Sequence, residues 1–282
     1  MNRLRLKKLL KQRIITALIL APLTLAATFL LPLFEFKLFI AAVMTVAAWE
    51  WANLSGLKQP AQRVAYAVGV LAIIVAMKYL ALPALPVVTL ALLFWCVALG
   101  WVSTFPNSKA QWQGVMARSL MGLLVLIPTW SGLVELKAQP SGNAWLLLLM
   151  LLVWGADVGA YFAGRTWGKR KLAARVSPGK TWAGFYGGLC SSLLVALVFG
   201  LVMSLQGAQL VGLMLVCLVT ALVSVLGDLL ESMLKRHRGI KDSSNLLPGH
   251  GGVMDRIDSL TAAAPIFALG LILFELTQVA VV

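Results

Sequence analysis

The chain has 282 residues, of which 60% are hydrophobic and only 12% charged, and its mean hydropathy is +0.90. Soluble domains carry about 25% charged residues, and a chain of this length cannot enclose so much apolar surface, so an ordinary soluble domain is excluded. The net charge is +14 and the isoelectric point about 10.2. Such a balance fits nucleic acid or a bilayer. There is no soluble basic domain for a nucleic acid to bind, and cytoplasmic loops of membrane proteins are rich in Lys and Arg, so the bilayer is the expected partner and nucleic acid is not. Cys96, Cys190 and Cys217 are scattered through apolar runs, and nothing in their number or spacing suggests a disulfide framework or a zinc site.

A spanning helix needs about 20 mostly apolar residues. On that template the sequence predicts nine segments, at 14–33, 36–54, 64–80, 82–102, 119–136, 144–162, 182–203, 210–234 and 259–281. Pro83 and Pro86 blur the join between the third and fourth, leaving one of them open to a re-entrant reading. The basic start from Met1 to Lys8 resembles a signal peptide, but the apolar run behind it exceeds a signal core of about 7–15 residues. An uncleaved first helix is expected. With the amino terminus cytoplasmic, only Lys37, Lys78 and Lys137 of the 24 Lys and Arg fall on the opposite side, the asymmetry that sets membrane orientation; the carboxyl terminus then lies outside. The expected fold is all-α, a polytopic integral membrane bundle of about nine helices. Residues 1–140 supply lipid-facing structural helices, and residues 141–282 supply helices with two cytoplasmic loops, at 163–181 and 235–258, where chemistry is expected.

Charge submerged in a bilayer is costly and usually faces a functional cavity. Glu35, Glu135 and Glu275 map to outer ends, whereas Glu50, Asp157, Asp228, Glu231, Asp242, Asp255 and Asp258 map to the cytoplasmic half. Asp157 and Asp228 sit roughly 7 to 9 Å inside their helix ends at 1.5 Å rise per residue. Asp228, Glu231, Ser232 and Lys235 follow i, i+3, i+4, i+7 spacing, so one face of the eighth segment is polar. Clustered oxygen donors without a His or Cys set suit a hard cation, and Mg²⁺ typically takes one or two carboxylates plus substrate phosphates. Asp228 and Asp255 are the expected site acids, followed by Asp157. For Glu231, Asp242 and Asp258, neutralisation of nearby Lys and Arg is an equal reading.

The first loop carries Arg165, Lys169, Arg170 and Lys171 among glycines, then Ser177-Pro178-Gly179-Lys180-Thr181-Trp182. Gly179-Lys180-Thr181 suggests a P-loop, but Ala174 stands where that pattern needs glycine, and no strand is expected before it. A basic, Gly-rich loop remains, ahead of a helix whose amino terminus can receive an anion; Lys169, Arg170 and Lys171 equally suit headgroup anchoring. The second loop contains Pro248-Gly249-His250-Gly251-Gly252, glycine flexibility that a tight ligand-hugging turn explains. His250 is either a phosphate donor or acid, or a loop-holding hydrogen-bond partner.

The run from Ser232 through Lys235-Arg236, Lys241-Asp242, Pro248 to Gly252 and Asp255-Arg256-Ile257-Asp258 resembles the signature of the bacterial phosphatidate cytidylyltransferase (CDP-diacylglycerol synthase) family. Gly227-Asp228-Leu229-Leu230-Glu231-Ser232, the run from Asp157 to Lys171 and Ser177 to Trp182 are similar to further family segments. The similarity is strong from about Trp154 to Asp258 and, before that, touches only Glu50-Trp51. One position departs: the family commonly has Glu after Lys-Thr-Trp, where this chain has Ala183.

The resemblance implies transfer of CMP from CTP to phosphatidate at an inner bacterial membrane, with the site on the cytoplasmic side. It implies catalytic roles for Asp228, Asp255, Lys235, Arg256, Asp258 and His250. Phosphate and substrate contacts are implied for Arg165, Ser177, Lys180, Thr181, Ser232, Arg236, Lys241, Gly249, Gly251 and Gly252. Asp228 and Asp255, with Asp157, would hold Mg²⁺. A phosphate nucleophile needs no general base, in keeping with the lack of a Ser-His-Asp or Cys-His set. An apolar bundle of this kind also allows a homodimer. The rival readings are a CTP-dependent lipid kinase, a CDP-archaeol-type synthase and a transporter; transporters place their sites near the bilayer midplane, often between repeats, whereas these acids gather at one interface and no repeat is visible.

Overall fold

The computed structural model describes the backbone of residues 3–278, and side chains from residue 16 on except 17 and 278. The amino-terminal cations counted above, as side chains, and the last residues of the ninth predicted segment lie outside the described residues. The helices are α1 (Arg3–Leu30), α2 (Leu33–Ser55), α3 (Pro60–Tyr79), α4 (Ala84–Ser103), α5 (Lys109–Trp112), α6 (Val115–Ala138), α7 (Gly142–Trp167), α8 (Trp182–Val202), α9 (Gly207–Arg238) and α10 (Met254–Leu273). Between α7 and α8 lies an antiparallel hairpin, β1 (Lys171–Ala173) and β2 (Ser177–Thr181).

Among the described residues seven helices, α3, α4 and α6 to α10, are long and apolar enough to cross a membrane. The chain is a polytopic helical membrane protein. Each of the nine predicted segments has a helix at its position, but α2, which carries Glu35, Lys37 and Glu50, falls outside the seven, and among the described residues α1 contributes the shorter apolar stretch Leu18–Leu30. The join at Pro83 separates two helices of 20 residues, each long and apolar enough to span. Outward faces are apolar, as lipid requires: Leu18, Leu93, Leu194 and Val202 are exposed, while Trp51, Trp95, Trp112 and Trp145 are fully buried.

Local chemistry sets the ends. Gly56 (φ 96°) stops α2 and Gly239 (φ 67°) stops α9, both in the left-handed region that glycine enters without a Cβ penalty. Helix α9 runs four residues past its predicted end at 234, because the polar stripe does not break it; that stripe packs against α10 and the hairpin instead of meeting lipid.

Helices α7 and α8 pack backbone against backbone. A Cβ on Gly159 would lie 2.5 Å from the Gly187 carbonyl oxygen, and one on Gly187 would lie 2.3 Å from the Ala163 Cβ. This close approach carries the hairpin between them. Gly187→Val should lower the thermal unfolding temperature in detergent, by overpacking worth about 1–3 kcal/mol; an unchanged transition would contradict the packing.

Candidate active site

Five elements, α2, α7, the hairpin, α9 and α10, converge at one end of the bundle. The hairpin places Lys180 so that its Nζ lies 2.7 Å from Asp228 Oδ2 on α9, and the Ser232 hydroxyl, one turn along, donates to Asp228 Oδ1 at 3.1 Å. Asp228 is thus oriented from both sides while staying accessible; its side chain is 28% exposed and that of Lys180 26%. Asp157 on α7 faces the same charges, with Lys180, Asp228 and Arg256 its near neighbours. Asp157, Arg165, Lys180, Thr181 and Asp228 all line one cavity of about 420 Å³.

Deeper in, Lys235 bridges two carboxylates, 2.7 Å from Glu231 Oε2 and 2.7 Å from Asp255 Oδ1, and all three side chains are at least nine-tenths buried. Asp255 Oδ2 accepts from the Ser243 N–H (2.8 Å), the Ser243 hydroxyl (2.8 Å) and the Gly252 N–H (2.7 Å). One carboxylate therefore ties α9, α10 and the 239–253 loop together. Buried charges are tolerated when paired and hydrogen-bonded in this way.

Glu50, fully buried on α2, completes the arrangement. Its carboxylate accepts from the Val253 (3.0 Å) and Met254 (2.6 Å) backbone N–H groups at the start of α10 and from the Ser244 hydroxyl (2.5 Å), and the Ser243 hydroxyl, whose one proton it shares with the closer Asp255, lies 3.3 Å away. An acid at a helix amino terminus meets the orphan N–H groups and the positive end of the dipole.

The glycine turn serves these carboxylates. A Cβ on Gly251 (φ 82°) would lie 2.8 Å from Asp255 Oδ2, and one on Gly252 would lie 2.5 Å from Glu50 Oε1. The sequence suggests a turn pressed on a ligand; the structure presses it on the protein's own acids. The loop's other face opens on a second polar cavity, about 630 Å³, lined by Lys241, Asp242, Asn245, Gly249, His250 and Arg256.

The remaining expected residues have visible tasks. The Thr181 hydroxyl caps α8 by accepting from the Gly184 N–H at 3.1 Å, so the anion-receiving end of that helix is partly occupied. Arg236 Nε donates to the Val176 carbonyl at 3.2 Å and fastens the hairpin to α9. Ser177 pairs with Ala173 across the hairpin, and Asp258 Oδ1 accepts from the Ser259 N–H at 2.7 Å. Two expectations need correction. The 163–181 and 235–258 segments are not all loop, since α7 runs to Trp167 with a hairpin after it, α9 runs to Arg238 and α10 begins at Met254; and a strand, β1, does precede Gly179-Lys180-Thr181, which lies on β2 and brings Lys180 to Asp228.

Among the described residues, no group of three or more His, Cys, Asp or Glu converges as a metal cage. Mg²⁺ does not demand one, because substrate phosphates and water supply most of its ligands. Asp157 and Asp228, two oxygen donors on one cavity, fit that pattern. Coordination by Asp255 would require Lys235 to give way at Oδ1.

The cytidylyltransferase family model matches residues 11–274. This chain belongs to the cytidylyltransferase family. A Pseudomonas aeruginosa protein named phosphatidate cytidylyltransferase is 55% identical over 269 residues, covering 92% of this chain and 96% of that protein. A Haemophilus influenzae protein of the same name is 41% identical over 285 residues, covering 92% and 98%. One from Bacillus subtilis is 43% identical over 134 residues, about half of each chain. In this cytidylyltransferase-family chain the sequence marks Glu50 as a cytoplasmic-side acid and as part of the Glu50-Trp51 resemblance but gives it no role, and it leaves out Ser243 and Ser244. Besides that resemblance, the signal for Glu50 was the cost of an acid in an apolar helix.

Proposed function

We propose that the chain joins phosphatidate to CTP, forming CDP-diacylglycerol and releasing pyrophosphate, on the cytoplasmic side of a bacterial inner membrane. The observation that carries this reading is the meeting of a charged cavity with an apolar one inside a membrane bundle. The cavity of Asp157, Lys180 and Asp228 shares Leu172, Phe185 and Val225 with an adjoining groove of about 640 Å³ lined mainly by apolar side chains of α4, the hairpin, α8 and α9. Acyl chains lie in the groove and the phosphate in the charged cavity, so lipid substrate and lipid product stay in the bilayer.

A phosphatidate phosphate oxygen bonds the α-phosphorus of CTP in line, and the bond from that phosphorus to the β-bridging oxygen breaks, sending pyrophosphate out. Both reactants are anions, so the protein's work is neutralisation and alignment. Lys180, Arg165 and Arg256 supply the positive charge; Asp228, fixed by Ser232, holds Lys180 in place. Asp157 and Asp228 would hold Mg²⁺, which when bound neutralises phosphate oxygens. Lys235, Glu231, Asp255 and Glu50 set the shape of the loop bearing Lys241 and His250, whose cavity, shared with Arg256 of α10, suits the polar nucleotide. In a detergent assay with cytosine-labelled CTP, phosphatidate and Mg²⁺, label should become lipid-soluble; label that stays water-soluble while CTP is intact would refute the reading. Reporters fused near Lys171 should read cytoplasmic, and a periplasmic reading would overturn the placement.

A further inference from the structure

A second cluster lies away from the carboxylates, where the end of α2, the start of α6 and the end of α9 meet. Arg118, in the first turn of α6, is 5% exposed, and its Nε and Nη1 have no hydrogen-bond partner. Among the described residues no carboxylate pairs with it. The charged group that acts on it is another cation, Arg238. His237, on α9, has Arg118, Lys109 and Arg238 as its charged neighbours, and its Nδ1 is likewise buried without a partner. Ser55, fully buried, contributes an unpartnered hydroxyl. It stands beside Gly56, whose missing Cβ lets Arg118 Nη2 approach; that Cβ would lie 3.1 Å away.

A buried guanidinium without an anion is among the costliest arrangements a protein can hold. Here the unpartnered Arg118 guanidinium and His237 Nδ1 lie among the cations Arg238 and Lys109, and the unpartnered Ser55 hydroxyl is on the residue next to Gly56, against which Arg118 packs. Arg side chains recognise phosphate through forked, charge-assisted bonds. We propose that this junction binds a phosphate-bearing anion, held by Arg118, His237 and Ser55 with Arg238 and Lys109 at its rim. The site is separate from the substrate cavities and independent of the reaction assigned to them. Its occupant fastens α2 to α6 and α9 five residues beyond Glu50, on the helix that clamps the 239–253 loop. The phosphate comes either from solution or from an anionic lipid headgroup, since Val115, Met116 and Leu120 beside Arg118 present exposed apolar surface.

The test uses the full chain and thermal unfolding, in detergent with chloride or inorganic phosphate, and in nanodiscs of phosphatidylcholine with or without phosphatidylglycerol. Wild type should gain about 5 °C at saturating anion, and Lys180→Gln, which removes an active-site cation, should gain as much. Arg118→Leu should reverse sign: more stable than wild type without the anion, less stable with it. A response to inorganic phosphate in detergent means free phosphate suffices; one confined to phosphatidylglycerol discs means a headgroup is required; either supports the site. No response in either arm, an equal response in Arg118→Leu, or a response lost in Lys180→Gln overturns it. Should Arg118→Leu fail to fold, Arg238→Gln at the rim must raise the half-saturating anion concentration about tenfold, and an unchanged value overturns the proposal equally.

Discussion

Lys180→Met should lower the rate of CDP-diacylglycerol formation by about 10²- to 10³-fold, the usual loss when one preorganised charge is taken from a transition state. Lys180 stands at the mouth of the charged cavity, partly exposed, with Asp228 2.7 Å from its ammonium. It therefore reaches a substrate phosphate without leaving its partner. Asp228→Asn should cost as much, because the amide neither holds Lys180 nor offers an anionic oxygen to a cation. The two acting as one unit, the double variant should be scarcely slower than either single one. Initial rates check this, with thermal unfolding as a control; the partial exposure of both side chains means the fold should survive. Losses below tenfold in both variants would move the chemistry out of this cavity.

The second large effect is on stability. Lys235→Met removes the one cation between Glu231 and Asp255, whose side chains are 1% and 3% exposed. Breaking a buried pair by removing one partner costs about 3–5 kcal/mol, because a buried charge is left uncompensated. Glu231→Gln should cost less, since Lys235 keeps Asp255. Thermal unfolding of both variants in detergent tests the order. Lys235→Met as stable as the parent would mean that this triad does not organise the loop.

Much of this architecture is legible in the sequence. Apolar runs about 20 residues long place the helices, and the spacing of Asp228, Glu231, Ser232 and Lys235 shows one polar face on α9. The hairpin is not legible. Its strands, Lys171–Ala173 and Ser177–Thr181, are too short for an alternating pattern, and Pro178 and Gly179 read as loop. Glu50 escapes for a different reason: its partners lie 193 to 204 residues along the chain, beyond any local motif. The glycines at 251 and 252 are legible as a close approach, but the sequence does not say that the thing approached is a carboxylate. Arg118 reads as one more orienting cation, and only packing reveals that it is buried.

The most direct test of the assigned reaction follows the two ends of the triphosphate. CTP labelled at the α-phosphorus should leave its label in the lipid, and CTP labelled at the γ-phosphorus should leave its label in pyrophosphate, in equal amounts. Label from the γ-phosphorus in the lipid, with CDP in solution, would mark a CTP-dependent kinase and contradict the assignment.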